Sequence, residues 1–233
     1  MSDDGEPESN AGFESVSEHE SGTNPESDRT RWNKKYRQSD AAFSLPDNPI
    51  PALEDRIDTL PDGRALDVAT GTGRNARFVA AHGYTVDAVD ISDEALAQAQ
   101  AAAKDDGVNT AIEWIRADIA DYTFEPGRYD VITISYFAAL ELLPDIKEAL
   151  APGGVLIYEQ HLRSSDEIEI GPGRNRYRFR SNDLLRACLD LTILSYGERR
   201  RESAMGELAV ATLIGRNSSG GAQSYPRLGD GIQ

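Results

Sequence analysis

An apolar run that ends in a glycine-rich turn constrains this chain more than any other feature. Residues 64–69 (RALDVA) read as a buried strand, and Gly71-Thr-Gly73-Arg-Asn-Ala76 leads from it into a helical stretch over 75–82, closed by Gly83. Glycines at a strand-to-helix turn let the backbone approach a ligand and leave the first helical amides free to donate. Gly71-x-Gly73-x-x-Ala76 fits the G-x-G-x-x-A form of the dinucleotide fingerprint. Asp90 stands seventeen residues beyond Gly73, near the roughly 20 expected for a carboxylate that grips ribose hydroxyls. By itself the spacing points only to an adenosine-containing ligand at the carboxyl ends of the first two strands.

The rhythm around this turn extends the argument to a fold. Further strands are expected over 85–90, 112–117, 130–135 and 155–159, with Ser92 capping an alanine-rich helix that runs through Lys104. Strands alternating with helices make βαβ units and a parallel sheet covered on both faces. Towards the end the rhythm breaks. A helix over 182–189, capped by Ser181, precedes strands over 191–198 and 207–216, and the short turn at Met205-Gly206 makes those two antiparallel neighbours. The expected fold is α/β, a doubly wound, seven-stranded, mostly parallel sheet with a C-terminal antiparallel hairpin. Leu53, Ile57 and Leu60 fit one face of an additional helix, and Trp32 with Tyr36 mark an amphipathic turn before it.

Charge divides the chain. Of 40 acids against 24 bases, nine acids and no base fall in the first 28 residues, so 1–28 is expected as a disordered tail and 29–216 as the folded domain. A flexible C-terminal tail is expected over 217–233. The net charge of −16 argues against a general grip on nucleic acid. Only four of the bases are lysines, which suggests a high-salt cytoplasm, although an ordinary acidic protein has the same composition. No apolar run approaches the ~20 residues of a membrane span, and no basic-then-apolar leader opens the chain, so a cytoplasmic protein is expected. The single cysteine, Cys188, excludes an internal disulfide and fits a reducing compartment. His82 reads as a helix C-terminal cap and His161 as a lone histidine after the fifth strand. Neither has a metal-ligand partner at useful spacing, so no metal is expected.

Asp67 lies inside the first strand, Asp118 ends the third, and Leu150-Ala-Pro-Gly-Gly154 leads into the fifth. Taken together with the glycine turn and the terminal hairpin, these residues resemble the class I S-adenosylmethionine-dependent methyltransferases over roughly 29–216. Gly71-Thr-Gly73-Arg74-Asn75-Ala76, the stretch from Ala80 to Asp90, Trp32-x-x-x-Tyr36-Arg37 and the closing run 211–216 are similar to the tellurite-resistance-type branch, although many members have Cys-Gly where this chain has Thr70-Gly71. The resemblance implies a Rossmann-like methyltransferase fold and S-adenosylmethionine as cofactor. On that basis Asp67, Ala69, Gly71, Gly73 and Asn75 would form the cofactor loop, Asp90 with Ile91 would bind the ribose, and Asp118 with Ile119 would read the adenine. Ser135 and Tyr136 would line the route to the methyl group, and Tyr36 and Arg37 would close over the methionine end. Asp67 is equally readable as an acid that merely holds the turn.

The segment 166–180 alternates Glu and Ile, turns at Gly171-Pro-Gly173, then alternates arginines with aromatics. Read as a hairpin, it is either a lid whose Arg176 and Arg178 draw an anionic acceptor or a flap held by Glu–Arg pairs. His161 stands near that acceptor pocket. The expected activity is in-line methyl transfer to a small molecule, soft or already anionic, with no catalytic side chain assigned and the chain a monomer or homodimer. The alternatives are a nicotinamide-dependent oxidoreductase that uses the G-x-G-x-x-A turn, and an S-adenosylmethionine-binding module without transfer activity.

Overall fold

A computed structural model describes residues 25–38, 47–203 and 205–218. Residues 1–24, the bulk of the expected N-terminal tail, and 219–233 lie outside the described residues. The first helix, α1 (Pro25–Arg37), begins four residues inside that expected tail.

Seven strands form one sheet in the order β3-β2-β1-β4-β5-β7-β6. They are β1 (Arg64–Val68), β2 (Thr85–Asp90), β3 (Ile112–Arg116), β4 (Tyr129–Ser135), β5 (Leu150–His161), β6 (Thr192–Ser203) and β7 (Gly206–Arg216). All neighbours from β3 to β5 pair in parallel. Only β7, between β5 and β6, runs antiparallel. Chain order reverses between β1 and β4, and in open α/β sheets ligands bind in the crevice at such a switch point, outside the carboxyl ends of the strands.

Alternation along the strands feeds two cores. Leu66, Val68, Ile132, Ile134, Leu156 and Tyr158 pack on one face with α5 (Leu143–Glu148) and α6 (Asp183–Ala187). Ala65, Val86, Ala88, Val131, Val155 and Ile157 pack on the other with α3 (Arg74–Ala81). Each fully buried leucine or isoleucine contributes about 1.5–3 kcal/mol. The helix α4 (Asp93–Asp105) starts at Ser92, whose hydroxyl accepts the Ala95 amide at 3.1 Å, as expected of an N-cap. His82 does end α3, with its Nδ1 2.8 Å from the Phe78 carbonyl.

Four expectations are corrected. Leu53, Ile57 and Leu60 do not share one helix: α2 (Pro51–Glu54) stops after one turn and a 3-10 turn follows at Ile57–Thr59. Ser181 does not cap α6; Asn182 takes that position in the left-handed conformation, with no side-chain cap. Asn217 is tied down, its side-chain amide donating to the Leu150 carbonyl at 2.8 Å.

The segment 166–180 is not a hairpin. Phe179 bridges Leu162 in parallel, its amide donating to the His161 carbonyl. Parallel neighbours cannot be joined by a tight turn, so residues 163–178 make a wide loop. Phe179 turns inward, 4% exposed, with its ring edge-on to Tyr158 at 5.7 Å. The register of that one buried aromatic overrides the alternation visible in the sequence.

Candidate functional site

The turn after β1 is built around a buried carboxylate. Asp67 accepts the Thr70 hydroxyl at 2.5 Å and the Thr133 hydroxyl at 2.6 Å, which fastens the loop to β1 and β4 together. Burial raises its pKa, and those hydroxyl bonds oppose the shift. Gly71 and Gly73 both have positive φ, at 57° and 76°. A methyl group on Gly73 would lie 2.9 Å from Ala99 Cβ and the Trp114 ring, and one on Gly71 would lie 2.8 Å from the Tyr36 hydroxyl. Side chains are therefore excluded by space as well as by dihedral preference. No side chain caps the start of α3, so its first-turn amides face the turn as donors.

Asp90, at the end of β2, accepts the Gly71 amide at 2.8 Å and the Ser92 amide at 2.9 Å. It is 7% exposed, and burial raises its pKa while the amide bonds oppose the shift. Asn75 bridges two walls, accepting the Ile50 amide and donating to the Ser135 hydroxyl, each at 3.1 Å. Ile91 follows β2. Asp118 lies two residues past β3 rather than at its end, and accepts the Ala120 amide; Ile119 beside it is buried. The structure thus brings Asp67, Ala69, Gly71, Gly73, Asn75, Asp90 and Ser135 together around the carboxyl ends of β1, β2 and β4, with Asp118 and Ile119 on the β3 side.

A second group stands one strand further along. Tyr136 follows β4 with φ of +56°. Its hydroxyl donates to Glu159 at 2.7 Å, and Arg201 donates to both, at 3.1 and 2.6 Å. Thr212 occupies the other Glu159 oxygen at 3.0 Å. Burial and the Glu159 charge push the Tyr136 phenol up to about 12. Its ring stacks on His161 with centroids 4.6 Å apart, and the Arg74 guanidinium lies 5.2 Å from the ring centroid. Arg74, Tyr136 and His161 so form a row from the glycine loop to the end of β5. The buried Nδ1 of His161 has no hydrogen-bond partner among the described residues. Burial, then the charges of Arg178 and Arg201, lower its pKa to about 4, so the ring is neutral near pH 7.

The remaining expected residues divide. Tyr36 is buried against Gly71, its phenol pKa raised by burial and by Asp90. Arg37 points instead to Glu94 on α4, at 2.7 Å. Arg178 donates to the Pro172 and Leu162 carbonyls at 2.8 and 3.3 Å, so it staples the loop over His161 rather than reaching outward. Arg176 is exposed and donates to the Tyr177 hydroxyl. Glu159, Arg201, Thr70 and Thr133 were not singled out from sequence. For Glu159 a signal existed, a lone carboxylate inside the apolar run 155–159. For Arg201 there was none.

Residues 65–154 match the family model of a methyltransferase domain. The ubiquinone/menaquinone biosynthesis C-methyltransferase UbiE of Ruegeria sp. (strain TM1040) is 29% identical over 156 residues, which are 63% of this chain and 62% of that enzyme. The chain therefore spans less than two thirds of that relative's length. Among solved structures, TehB from Haemophilus influenzae superposes with a TM-score of 0.62 at 20% identity, over 82% of this chain and 67% of that one. A SAM-dependent methyltransferase from Methanosarcina mazei does so at 0.59 and 17%, over 73% and 99%. These two likenesses are of fold. Residues 65–154 of the chain thus match a methyltransferase domain, and the seven-stranded sheet around them has the fold of these methyltransferase structures.

Proposed function

We propose that the protein transfers the methyl group of S-adenosylmethionine to a small-molecule acceptor by in-line displacement. The observation that carries this reading is the pairing of the Gly71 amide with Asp90 at the carboxyl ends of β1 and β2. It sets a left-handed glycine loop, an uncapped helix start and a buried carboxylate around one crevice. The residues present fit the cofactor. Gly71 and Gly73 offer close backbone approach, Asp90 retains acceptor capacity for ribose hydroxyls, and Asp118 with Ile119 flanks an adenine position. Bound S-adenosylmethionine supplies a methyl group already made electrophilic by the sulfonium.

The chain's own task is orientation and exclusion of water. Asn75 and Ser135 fix the end of β4, and the Glu159–Arg201 pair fixes Tyr136. An acceptor that arrives as an anion needs no base; a protic one meets neutral His161 across Tyr136 from the glycine loop. The insertion of antiparallel β7 between β5 and β6 argues against a nicotinamide-dependent oxidoreductase, whose classical order is 3-2-1-4-5-6. The acidic, lysine-poor composition supports work in a high-salt cytoplasm. Among the described residues no helix is long and apolar enough to cross a membrane.

Titration calorimetry with S-adenosylmethionine and with NAD tests the cofactor. The first should bind, and Asp90→Asn should weaken it about tenfold or more, the effect of losing a charge-assisted hydrogen bond. Binding of NAD without S-adenosylmethionine would overturn the reading. Labelled cofactor, screened against thiols, phenols, amines and oxyanions, should yield a methylated product; cofactor binding with no product across these classes would leave a binding module.

A further inference from the structure

Cations gather against aromatic rings where α1 meets the loop after β5. The Arg31 guanidinium lies 5.5 Å from the Trp32 ring centroid and 5.8 Å from that of Tyr177. Arg176 lies 4.7 Å from the Tyr177 ring, and the Lys35 ammonium 4.7 Å from Trp32. Arg31 and Arg176 converge on one atom, both donating to the Tyr177 hydroxyl, at 2.9 and 2.6 Å. An uncharged phenol oxygen thus receives two cationic donors that would each bind an anion more strongly.

The local charge makes this arrangement informative. A chain with a net charge of −16 has ample carboxylates to disperse its cations. Among the described residues Arg31, Lys35 and Arg176 stand together around these rings, with Asp28 paired to Arg31 at 3.0 Å. Lys35 registers the crowding, since burial and then Arg31 lower its pKa. Like charges drawn together around rings are relieved by an anion, and the rings give a planar anion a surface to stack on. The cluster also stands at the mouth of the crevice. Trp32 is 6.2 Å from the Tyr36 ring, which abuts Gly71, and Tyr177 belongs to the loop that Arg178 staples over His161.

We propose that Arg31 and Arg176, with Trp32 and Tyr177, dock the methyl acceptor by an anionic group carried on a planar ring, an aromatic carboxylate in its simplest form. The cations take the carboxylate and displace the Tyr177 hydroxyl, while Trp32 and Tyr177 take the ring. The site's role as an acceptor site rests on the methyl-transfer reading; its ligand chemistry does not.

The test uses 4-fluorobenzoate followed by fluorine NMR on the full chain, at the lowest salt where circular dichroism shows it folded. Wild type should bind 4-fluorobenzoate, and its neutral isostere 4-fluorobenzamide about tenfold more weakly or not at all. Arg31→Gln/Arg176→Gln should weaken benzoate by at least about tenfold, whereas Arg186→Gln, an exposed residue of α6, should leave it unchanged. If the double variant does not fold, Arg176→Gln alone, in an exposed loop, serves instead. Equal benzoate binding by wild type and variant, equal binding of benzamide, or no benzoate binding by wild type would each overturn the proposal. Calorimetry with S-adenosylmethionine on the same samples separates the two readings. Retained cofactor binding with unaltered benzoate binding overturns the docking site alone, and absent cofactor binding overturns methyl transfer while the benzoate comparison still decides the site.

Discussion

Replacing His161 by phenylalanine isolates the energetic consequence of burying an imidazole at the end of β5. Its pKa falls from 6.5 to about 4, and at about 1.4 kcal/mol per unit the difference corresponds to about 3 kcal/mol of stability. The sign follows from proton uptake. As pH drops below 6.5 the unfolded chain binds a proton that the folded chain refuses until about 4, so stability present at neutrality is lost across that window. Asp67 and Asp90 act oppositely: burial raises their pKa, so their contribution is present in acid and fades as pH rises through the folded values. The wild-type curve alone therefore mixes both effects, and the difference between wild type and variant does not. Phenylalanine keeps a ring against Tyr136 and removes the nitrogen that faces Arg178 and Arg201. Urea unfolding at fixed salt, repeated from pH 7 to pH 4, should show the variant gaining about 3 kcal/mol on wild type, most of it between pH 6 and 4. A difference that stays flat across that range would refute the argument, and so would an imidazole resonance that titrates near 6.5.

Gly73→Ala forces a side chain into φ of +76° and to within 2.9 Å of Ala99 and Trp114. It should cost about 2–4 kcal/mol in thermal unfolding and abolish cofactor binding; a wild-type melting curve would contradict the packing described. Glu159→Gln removes the counter-charge of Arg201 and should cost about 2 kcal/mol, read from urea midpoints. Ala69→Gly relieves a non-glycine residue at φ of +54°. It should leave stability unchanged or raise it by up to about 1 kcal/mol, where the same change inside a helix costs about 1 kcal/mol.

The succession of strands and the glycine loop were legible because both leave local marks. Buried parallel strands are short apolar runs, a left-handed turn at a close approach requires glycine, and Asp90 was placed by counting from Gly73. The terminal hairpin was legible from the short turn at Met205-Gly206. What sequence did not convey depends on partners distant in the chain. The segment 166–180 has the alternation of a hairpin, yet Phe179 pairs in parallel with Leu162 and the hairpin is lost. Arg178 carries no local sign that two carbonyls will claim it. Arg37 is likewise taken by Glu94, a residue 57 positions away. Asp67 was readable either as a cofactor contact or as the acid that holds the turn, and the hydroxyls of Thr70 and Thr133 supply the second role directly.

Two of the three non-glycine residues with positive φ among those described, Ala69 and Tyr136, sit after β1 and β4, on either side of the switch point. Such a conformation costs of order 1–3 kcal/mol per residue and persists only where the surroundings over-determine it. Both surroundings do so. The Ala69 turn is closed by Asp67 and Thr70, and Tyr136 is held by Glu159 and Arg201 at its hydroxyl and by Arg74 and His161 around its ring. The strain and the interactions that maintain it therefore lie in the same residues that face the crevice. A fold needing only a stable sheet has no use for an alanine and a tyrosine at these dihedrals. The methyl transfer proposed above, with donor and acceptor held in line, requires the backbone to be fixed where the two strands part.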